Sequence, residues 1–232
     1  MKSYKLHKNF RKFLLNESTN TEGLCLYHKG EGTNYQRIII YKPIPDEAIK
    51  MNRQYLDTVI IGAITFDNTK NVVGEPCIPE TFQVSTVFTH KDYEGQGFQK
   101  LLMDCAFYAL GKENKGLTSD QFTGTKHRAE RAWVKIEKSS EYEKQQTRAG
   151  NDQFDYSDAT PDPDDDCNMP MKFPSVMHSF KKKNTSDGKA QYDTMKTNHK
   201  TFVNKLGRNK GAFENMLKNR SAEDFRVRFR GL

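Results

Sequence analysis

A strand-like alternation of apolar and polar positions changes to a helix-like spacing near the middle of the chain. Residues 81–89 alternate as a half-buried strand does. The positions expected on one face of that strand are Phe82, Val84, Thr86 and Phe88. From Gln96 onward, apolar residues recur at three- and four-residue steps, which predicts a helix packed on a sheet. The rest of the predicted fold is organised around this strand–turn–helix unit.

Similar patterns predict further elements on both sides of this unit. Strands are expected at residues 23–28, 35–42, 58–66 and 115–120. Because a helix crosses between them, the last of these should run parallel to the strand that ends at Thr89. A basic amphipathic helix at residues 3–15 is expected to pack its apolar face on the domain. A longer helix is predicted at residues 125–146, with Trp133 on its inner face.

The composition changes sharply after residue 150. Residues 151–167 are rich in Asp and Pro, which indicates a solvated acidic loop. Alternatively, the carboxylates of Asp164, Asp165 and Asp166 fold over a basic surface or a substrate amine. We therefore expect one domain over residues 1–150, this acidic loop, and a basic extension over residues 168–232 that packs on the same domain.

The basic extension contains further predicted elements. Helical spacing at residues 191–206 and 211–219 indicates two helices. In a predicted terminal strand, Arg226, Arg228 and Arg230 alternate with apolar residues. Such an arginine face either protects an edge strand from aggregation or contacts nucleic acid.

Composition and charge limit the class of protein. The chain has 232 residues and a net charge of +7, which suits an anionic partner such as a phosphate-bearing cofactor or nucleic acid but is also compatible with simple solubility. No apolar run approaches the length of a membrane span, and no secretory leader is recognisable, so a cytoplasmic protein is expected. The cysteines lack metal-ligand spacing, which predicts reduced thiols and no metal site. They are Cys25, Cys77, Cys105 and Cys167.

Two glycines mark the turn between the central strand and its helix. Gly95 and Gly97 lack Cβ atoms, so the backbone amides of residues 95–98 can approach an anion at the helix N-terminus. The alternative is that they only allow the chain to turn. An isolated Gly-x-Gly does not distinguish the two possibilities.

The residues around these glycines resemble a known signature. The segment from Val87 to Leu102, VFTHKDYEGQGFQKLL, is similar to the acetyl-coenzyme A motif of the GNAT superfamily of N-acetyltransferases. Glu94 stands where that motif usually has Arg or Gln, and Gln99 stands where it has Gly or Ala. The resemblance covers about residues 55–146 and looks closest to the phage-encoded branch of the superfamily.

The helix predicted at residues 125–146 resembles the second motif of the same family, Asn-x-x-Ala-x-x-x-Tyr. Lys126 replaces the usual Asn, and Trp133 replaces the usual Tyr. In the family this tyrosine often protonates the departing thiolate, which an indole cannot do. A proton donor would therefore have to come from elsewhere in the chain.

The resemblance implies a fold and a cofactor. It implies an α/β (α+β) fold with a central mixed sheet, mostly antiparallel, in which a splayed parallel pair of strands admits the thioester and helices flank the sheet. It also implies that acetyl-CoA or another acyl-CoA is bound, with backbone amides near the thioester stabilising the oxyanion. The cofactor-binding residues implied are Val87, Phe88, Gly95, Gln96, Gly97, Phe98, Gln99 and Lys100.

The activity implied is direct transfer of an acyl group from coenzyme A to an amine on a macromolecule, either a protein or a nucleobase. Asp120 is the leading candidate for the base, because it ends the parallel strand, and His90 is the second. Ser119 and Tyr93 are candidates for relaying protons. Each also has a structural interpretation: Asp120 as a turn cap and His90 as a surface loop residue.

A binding protein of the same fold is the alternative interpretation. Such a protein would use its basic extension to contact nucleic acid or a host protein, without catalysis. The substitutions at Glu94, Gln99 and Trp133 favour it. A phage-encoded protein of either kind would act in the cytoplasm of the host cell.

Overall fold

The computed structural model describes residues 19–43, 60–68, 81–119, 127–146 and 178–219. The helices in these ranges are α1 (Phe98–Gly111), α2 (His127–Lys138), α3 (Ser186–Lys205) and α4 (Lys210–Asn219). The strands are β1 (Cys25–Lys29), β2 (Tyr35–Tyr41), β3 (Ile60–Asn68), β4 (Thr81–Thr89), β5 (Gly116–Thr118), β6 (Tyr142–Gln146) and β7 (His178–Lys182). Short 3₁₀ helices at Lys91–Tyr93 and Gly207–Asn209 precede α1 and α4.

These strands form one sheet in the order β1-β2-β3-β4-β5-β7-β6. Neighbouring strands are antiparallel except β4 and β5, which are parallel as predicted. The fold is therefore α/β, with a mixed and mostly antiparallel sheet flanked by helices. The parallel pairing is short, because Thr81–Gln83 of β4 pair with Gly116–Thr118 of β5. Within the described ranges, the remainder of β4 is paired with β3 only.

Ser85 interrupts the predicted alternation of β4. Thr86 and Val84 pair with consecutive residues of β3, so Ser85 is an extra residue in a β-bulge. Phe82 and Val84 consequently lie in the core beneath α1, whereas Phe88 packs in the core on the opposite face. The prediction that the even-numbered residues of this strand share one face is wrong, because the bulge shifts the pleat by one residue.

Apolar side chains cover both faces of the sheet. Beneath α1, the buried residues include Leu101, Leu102, Cys105 and Leu110, packed on Ile38, Ile64 and Phe82. On the opposite face, the end of α3 and all of α4 contribute Phe202, Leu206, Phe213 and Leu217, packed on Ile39 and Tyr41. The two helices of the basic extension thus pack directly on the central sheet.

The helix predicted at residues 125–146 is wrong at its C-terminal end. α2 ends at Lys138, and β6 begins at Tyr142. Ser139, Ser140 and Glu141 separate the two elements, and the Ser139 hydroxyl accepts a hydrogen bond from the amide of Glu141 at 3.2 Å. Serine competes with helical hydrogen bonding in this way, so it favours a break at this point.

Two elements of the basic extension also differ from the sequence prediction. β7 was not predicted, because His178–Lys182 contains a single large apolar residue, Phe180, before a lysine run. α3 begins at Ser186 rather than near residue 191. The side chain of Asn184 accepts a hydrogen bond from the Ser186 amide at 2.9 Å and thereby supports the earlier start.

Several predictions concern residues outside the described ranges. They are the helix at residues 3–15, the acidic loop at 151–167, Asp120, and the terminal strand with Arg226, Arg228 and Arg230. Among the residues that the structure does describe, no helix is long and apolar enough to span a membrane. Cys25 and Cys105 are buried free thiols.

Candidate functional site

The central strand ends where the candidate site begins. The amide of His90 donates to the carbonyl of Ile61 at 2.7 Å, which is the last β3–β4 hydrogen bond. His90 then caps the 3₁₀ turn at residues 91–93, because its Nδ1 accepts from the Asp92 amide at 3.3 Å. In a neutral imidazole, an accepting Nδ1 places the proton on Nε2. In this tautomer the Nε2–H of His90 is a hydrogen-bond donor.

Both glycines of the turn adopt the left-handed conformation. Gly95 has φ +76° and Gly97 has φ +84°, a region that L side chains rarely adopt. A Cβ at Gly97 would lie 2.6 Å from the Thr19 hydroxyl oxygen, whereas a Cβ at Gly95 would meet nothing within 4 Å. The turn therefore needs glycine at Gly97 for space and conformation, and at Gly95 for conformation alone.

The N-terminus of α1 follows Gly97 directly and is not capped. Gly97 makes no side-chain capping hydrogen bond, and the first turn of α1 contains no acidic residue. The first helical bond runs from the Leu101 amide to the Gly97 carbonyl at 3.0 Å, so the preceding amides point out of the helix end. They belong to Phe98, Gln99 and Lys100. Positive potential from the helix dipole adds to these donors, which suits an anion such as a phosphate.

Tyr93 and Gln96 fix the shape of the turn. The Tyr93 ring packs edge-on against Phe98 at a centroid distance of 5.6 Å, and Lys42 Nζ lies 5.0 Å from the centroid of the Tyr93 ring. The Gln96 side-chain amide donates to the Asp92 carbonyl at 2.8 Å. The turn is held in place by these contacts, while Gly95 and Gln96 themselves are exposed to solvent.

The backbone of β4 decides which of two candidate amides can face a ligand. In an antiparallel ladder, successive amides point alternately to the two sides of the strand. Because the His90 amide bonds to β3, the Phe88 amide also points toward β3, and the Val87 amide points to the other side. Val87 is therefore the better candidate for an oxyanion donor. Phe88, predicted alongside it, has its amide directed into the sheet.

The catalytic candidates predicted from the sequence lie near opposite ends of β4. Ser119 follows Thr118, which pairs with Gln83, so Ser119 lies level with Val84. At about 3.3 Å per residue, His90 lies about 20 Å further along β4. Ser119 is also completely buried. Ser119 and His90 therefore cannot act on the same atom, and Asp120, which follows Ser119, lies outside the described residues.

Thr89 is a candidate that the sequence analysis missed. Its Oγ1 is buried and has no hydrogen-bond partner among the described residues. Val87 packs in the core beneath α1, and two residues later the Thr89 side chain points to the same face. A buried, unpartnered hydroxyl beside the uncapped end of α1 can bond to a ligand there. No sequence signal marked it, because threonine is common in strands.

Trp133 has a structural role. Its indole stacks on the Phe180 ring at a centroid distance of 5.9 Å with an interplanar angle of 27°, and only 4% of the residue is exposed. It occupies the helix position where the resembled motif has a tyrosine. The packing shows that this position serves the core, so the proton donor cannot come from it.

A second group of titratable side chains lies near the β1–β2 turn, beside the C-terminal end of α1. Nδ1 of His28 lies 2.6 Å from the Tyr192 hydroxyl oxygen, and Nε2 of His28 lies 2.8 Å from Gln36 Oε1. Burial lowers the pKa of His28 to about 4, so the ring is neutral. Because Gln36 Oε1 can only accept, Nε2 carries the proton and Nδ1 accepts from the Tyr192 hydroxyl.

Glu31 completes this group. Burial alone would raise the pKa of its carboxyl, but hydrogen bonds from Lys196 and Lys112 outweigh burial and lower the pKa to about 2. The group links the β1–β2 turn to α1 and α3. It lies at the opposite end of α1 from Gly95 and has a structural role.

No protein-family model and no curated protein matches this chain. A comparison with solved structures finds the crystal structure of an acetyltransferase of the GNAT family from Staphylococcus aureus Mu50. The match covers 79% of this chain and 96% of that chain at 10% sequence identity, with a TM-score of 0.33. Similarity at this level carries no argument about function, which has to be inferred from the residues of this chain.

Proposed function

We propose that this protein is an acyl-CoA-dependent N-acyltransferase that transfers an acyl group to an amine on a macromolecule. The observation that carries the proposal is the N-terminus of α1, which has no side-chain cap and is joined to the end of β4 by a short 3₁₀ turn and two left-handed glycines. This junction carries the segment that resembles the acetyl-CoA motif, from which Glu94 and Gln99 depart. The acceptor is a protein or a nucleobase.

The turn fits the pyrophosphate of coenzyme A. The amides of Phe98, Gln99 and Lys100 have no partner within α1, and the exposed turn at Gly95 leaves room for phosphate oxygens. The Lys100 side chain is held by Asp104 at 2.7 Å, so it is the Lys100 amide that serves the anion. Glu94 is exposed, and solvent therefore screens its charge.

The open part of β4 fits the acyl end of the cofactor. Acetyl-CoA, when bound, supplies an activated thioester. We propose that the Val87 amide, which points away from β3, donates to the oxyanion. We propose that Asp120 acts as the base for the acceptor amine, with Ser119 positioning it from the end of β5. His90 and Tyr93 belong to the phosphate end of the site, where they shape the turn.

A binding protein without catalysis is the second candidate. The observation that favours it is the packing of Trp133 on Phe180, which removes the usual proton donor from α2. In that case the fold would retain the glycine turn only as a connection. The acyltransferase proposal accounts better for the uncapped helix end and for the unpartnered hydroxyl of Thr89.

Calorimetric titration with two ligands tests the proposal. Acetyl-CoA should bind, and acetyl-pantetheine, which has the thioester but lacks the nucleotide and the pyrophosphate, should bind far more weakly, because the helix amides would have no phosphate to contact. Equal affinity for the two ligands would remove the turn from the site. No binding of acetyl-CoA would favour the second candidate.

A further inference from the structure

On the side where α1 ends, several surface cations form ion pairs with carboxylates, as Lys112 does with Glu31 at 3.1 Å and Lys189 with Asp193 at 3.2 Å. Four exposed cations instead surround the turn between α3 and α4, and no carboxylate of the described residues lies at ion-pair distance from them. They are Lys200, Lys205, Arg208 and Lys210. We call this cluster the α3–α4 corner.

The α3–α4 corner lies at the same end of the strands as the glycine turn, where β1 begins and β4 ends. α3 runs antiparallel to β1, since Tyr192 contacts His28 near the end of β1 and Asn198 donates to the Leu24 carbonyl before its start at 2.8 Å. The start of β1 lies level with the end of β4, because the intervening strands are antiparallel. The turn after α3 therefore lies at the end of the strands where Gly95 lies.

The charge of the corner is not needed by the fold. Between residues 200 and 218 the single acidic residue is Glu214. Lys210 is the first residue of α4, and that helix has no acid in its first turn. A cation at a helix N-terminus opposes the helix dipole and costs a few tenths of a kcal/mol. A local cost of this kind, at an exposed site, is expected where the charge serves a partner.

The distance from the turn argues against the pyrophosphate of a bound coenzyme A as the partner of these cations. The end of α3 and α4 pack on the face of the sheet opposite α1. Three strand spacings of about 4.8 Å also separate β1, beside which α3 runs, from β4, so the corner lies at least about 14 Å from the β4–α1 junction. A pyrophosphate held by the amides of α1 cannot reach it. An extended polyanion that lies across this end of the strands can contact both the corner and the glycine turn. Duplex DNA is such a polyanion, since it carries one charge per about 1.7 Å of its axis.

We propose that the α3–α4 corner contacts the phosphodiester backbone of a nucleic acid, which presents the acceptor amine to the open part of β4. The identification of the acceptor rests on the proposed function, whereas the binding of nucleic acid does not. Lysine and arginine contacts to phosphates position a nucleic acid without reading its sequence. Binding through the corner should therefore be largely independent of sequence and strongly dependent on salt.

A salt titration of binding tests this inference. A fluorescent DNA duplex of about two helical turns is titrated with the full chain between about 50 and 200 mM salt, and an RNA duplex of the same sequence forms a second arm. The test variant is Arg208→Gln/Lys210→Gln. The control variant is Lys183→Gln/Lys189→Gln, which loses the same charge from exposed positions on the side where α1 ends.

The test variant should lower the slope of log affinity against log salt by about 1.8 on duplex DNA, since each lost phosphate contact removes about 0.9. The control variant should leave the slope unchanged. Equal effects of the two variants, or no binding of either duplex at the lowest salt, would overturn the inference. Acetyl-CoA titration of the same variants separates the outcomes, because the proposed function requires that binding to persist in both.

Discussion

The Nζ of Lys182 lies 2.6 Å from Oδ1 of Asp104, and only 10% and 9% of the two side chains are exposed. Lys100 contacts the second oxygen of the same carboxylate at 2.7 Å. The contacts join α1 to β7, a strand that is not predicted from the sequence. Because Lys182 is buried, its charge depends on this carboxylate for compensation.

Removing the carboxylate should therefore destabilise the protein strongly. Asp104→Asn leaves the buried ammonium of Lys182 without a counter-charge, and we expect a loss of about 3 kcal/mol in the free energy of unfolding. Asp193→Asn is the control, because the pair with Lys189 is exposed and should contribute less than about 1 kcal/mol. Urea denaturation measures both. Similar losses in the two variants would show that the Asp104 cluster is not effectively buried.

Two helical glycines should respond to alanine in opposite directions. A Cβ at Gly188 of α3 would lie 2.6 Å from the Asp104 carbonyl oxygen, whereas a Cβ at Gly211 of α4 would meet nothing within 4 Å. Gly211→Ala should stabilise the protein by up to about 1 kcal/mol through helix propensity. Gly188→Ala should destabilise it by about 1–3 kcal/mol, because α3 must move away from α1. Thermal unfolding of both variants checks the signs; stabilisation by Gly188→Ala would contradict the close helix contact.

Stability should fall as the pH falls below about 6.5. Burial lowers the pKa of both His28 and His199 to about 4 from an ordinary 6.5. The unfolded chain therefore binds more protons than the folded chain between these values, so each histidine should reduce stability by about 2 kcal/mol between pH 7 and pH 5. Glu31, with its pKa lowered to about 2, affects stability only in a more acidic range.

The variant His28→Gln isolates one of these contributions. Glutamine does not titrate, so the loss of stability between pH 7 and pH 5 should be about 2 kcal/mol smaller than in the unmodified protein. Urea denaturation at the two pH values gives the comparison. An unchanged loss would mean that the pKa of His28 is the same in the folded and the unfolded protein.

Thr89→Val should separate stability from ligand binding. The variant removes a buried hydroxyl without a partner among the described residues, so stability should be unchanged or slightly higher. If the hydroxyl bonds to the bound cofactor, affinity for acetyl-CoA should fall by up to about tenfold, the value of one hydrogen bond. Thr86→Val is a control from the same strand, since the Thr86 hydroxyl donates locally to the Ser85 carbonyl at 2.7 Å. Equal changes in affinity would exclude a specific role for Thr89.

Within the described residues, the strands and helices with strong apolar periodicity could be predicted from the sequence, and the structure contains them. The bulge at Ser85 could not, because both faces of β4 are buried and apolar residues on either side of the bulge fit an unbroken alternation. β7 was missed for a different reason. The large apolar residue of β7 is Phe180, which packs against Trp133. One apolar residue before a lysine run gives no periodicity.

The candidate site could be predicted in outline only. The glycine turn is local in sequence, so the left-handed conformation of Gly95 and Gly97 could be anticipated. The level of Ser119 relative to His90 depends on the strand register between β4 and β5, which the sequence does not encode locally. The hydrogen bond from the Thr19 hydroxyl to the Gln96 carbonyl joins residues far apart in the chain, and no sequence pattern indicates it.

The central claim is that the turn at Gly95 holds the phosphates of an acyl-CoA. A side chain at Gly95 meets nothing within 4 Å, so Gly95→Asn and Gly95→Asp have the same space and nearly the same shape. Asparagine tolerates the left-handed conformation best among the other residues, and the two variants differ mainly in one negative charge.

Calorimetric titration of these two variants with acetyl-CoA is the most direct test. Gly95→Asn should bind with an affinity close to that of the unmodified protein, and Gly95→Asp should lose at least about tenfold, because its carboxylate competes with phosphate for the amides at the end of α1. Equal affinities of the two variants would contradict the account, since no phosphate could then lie beside this turn.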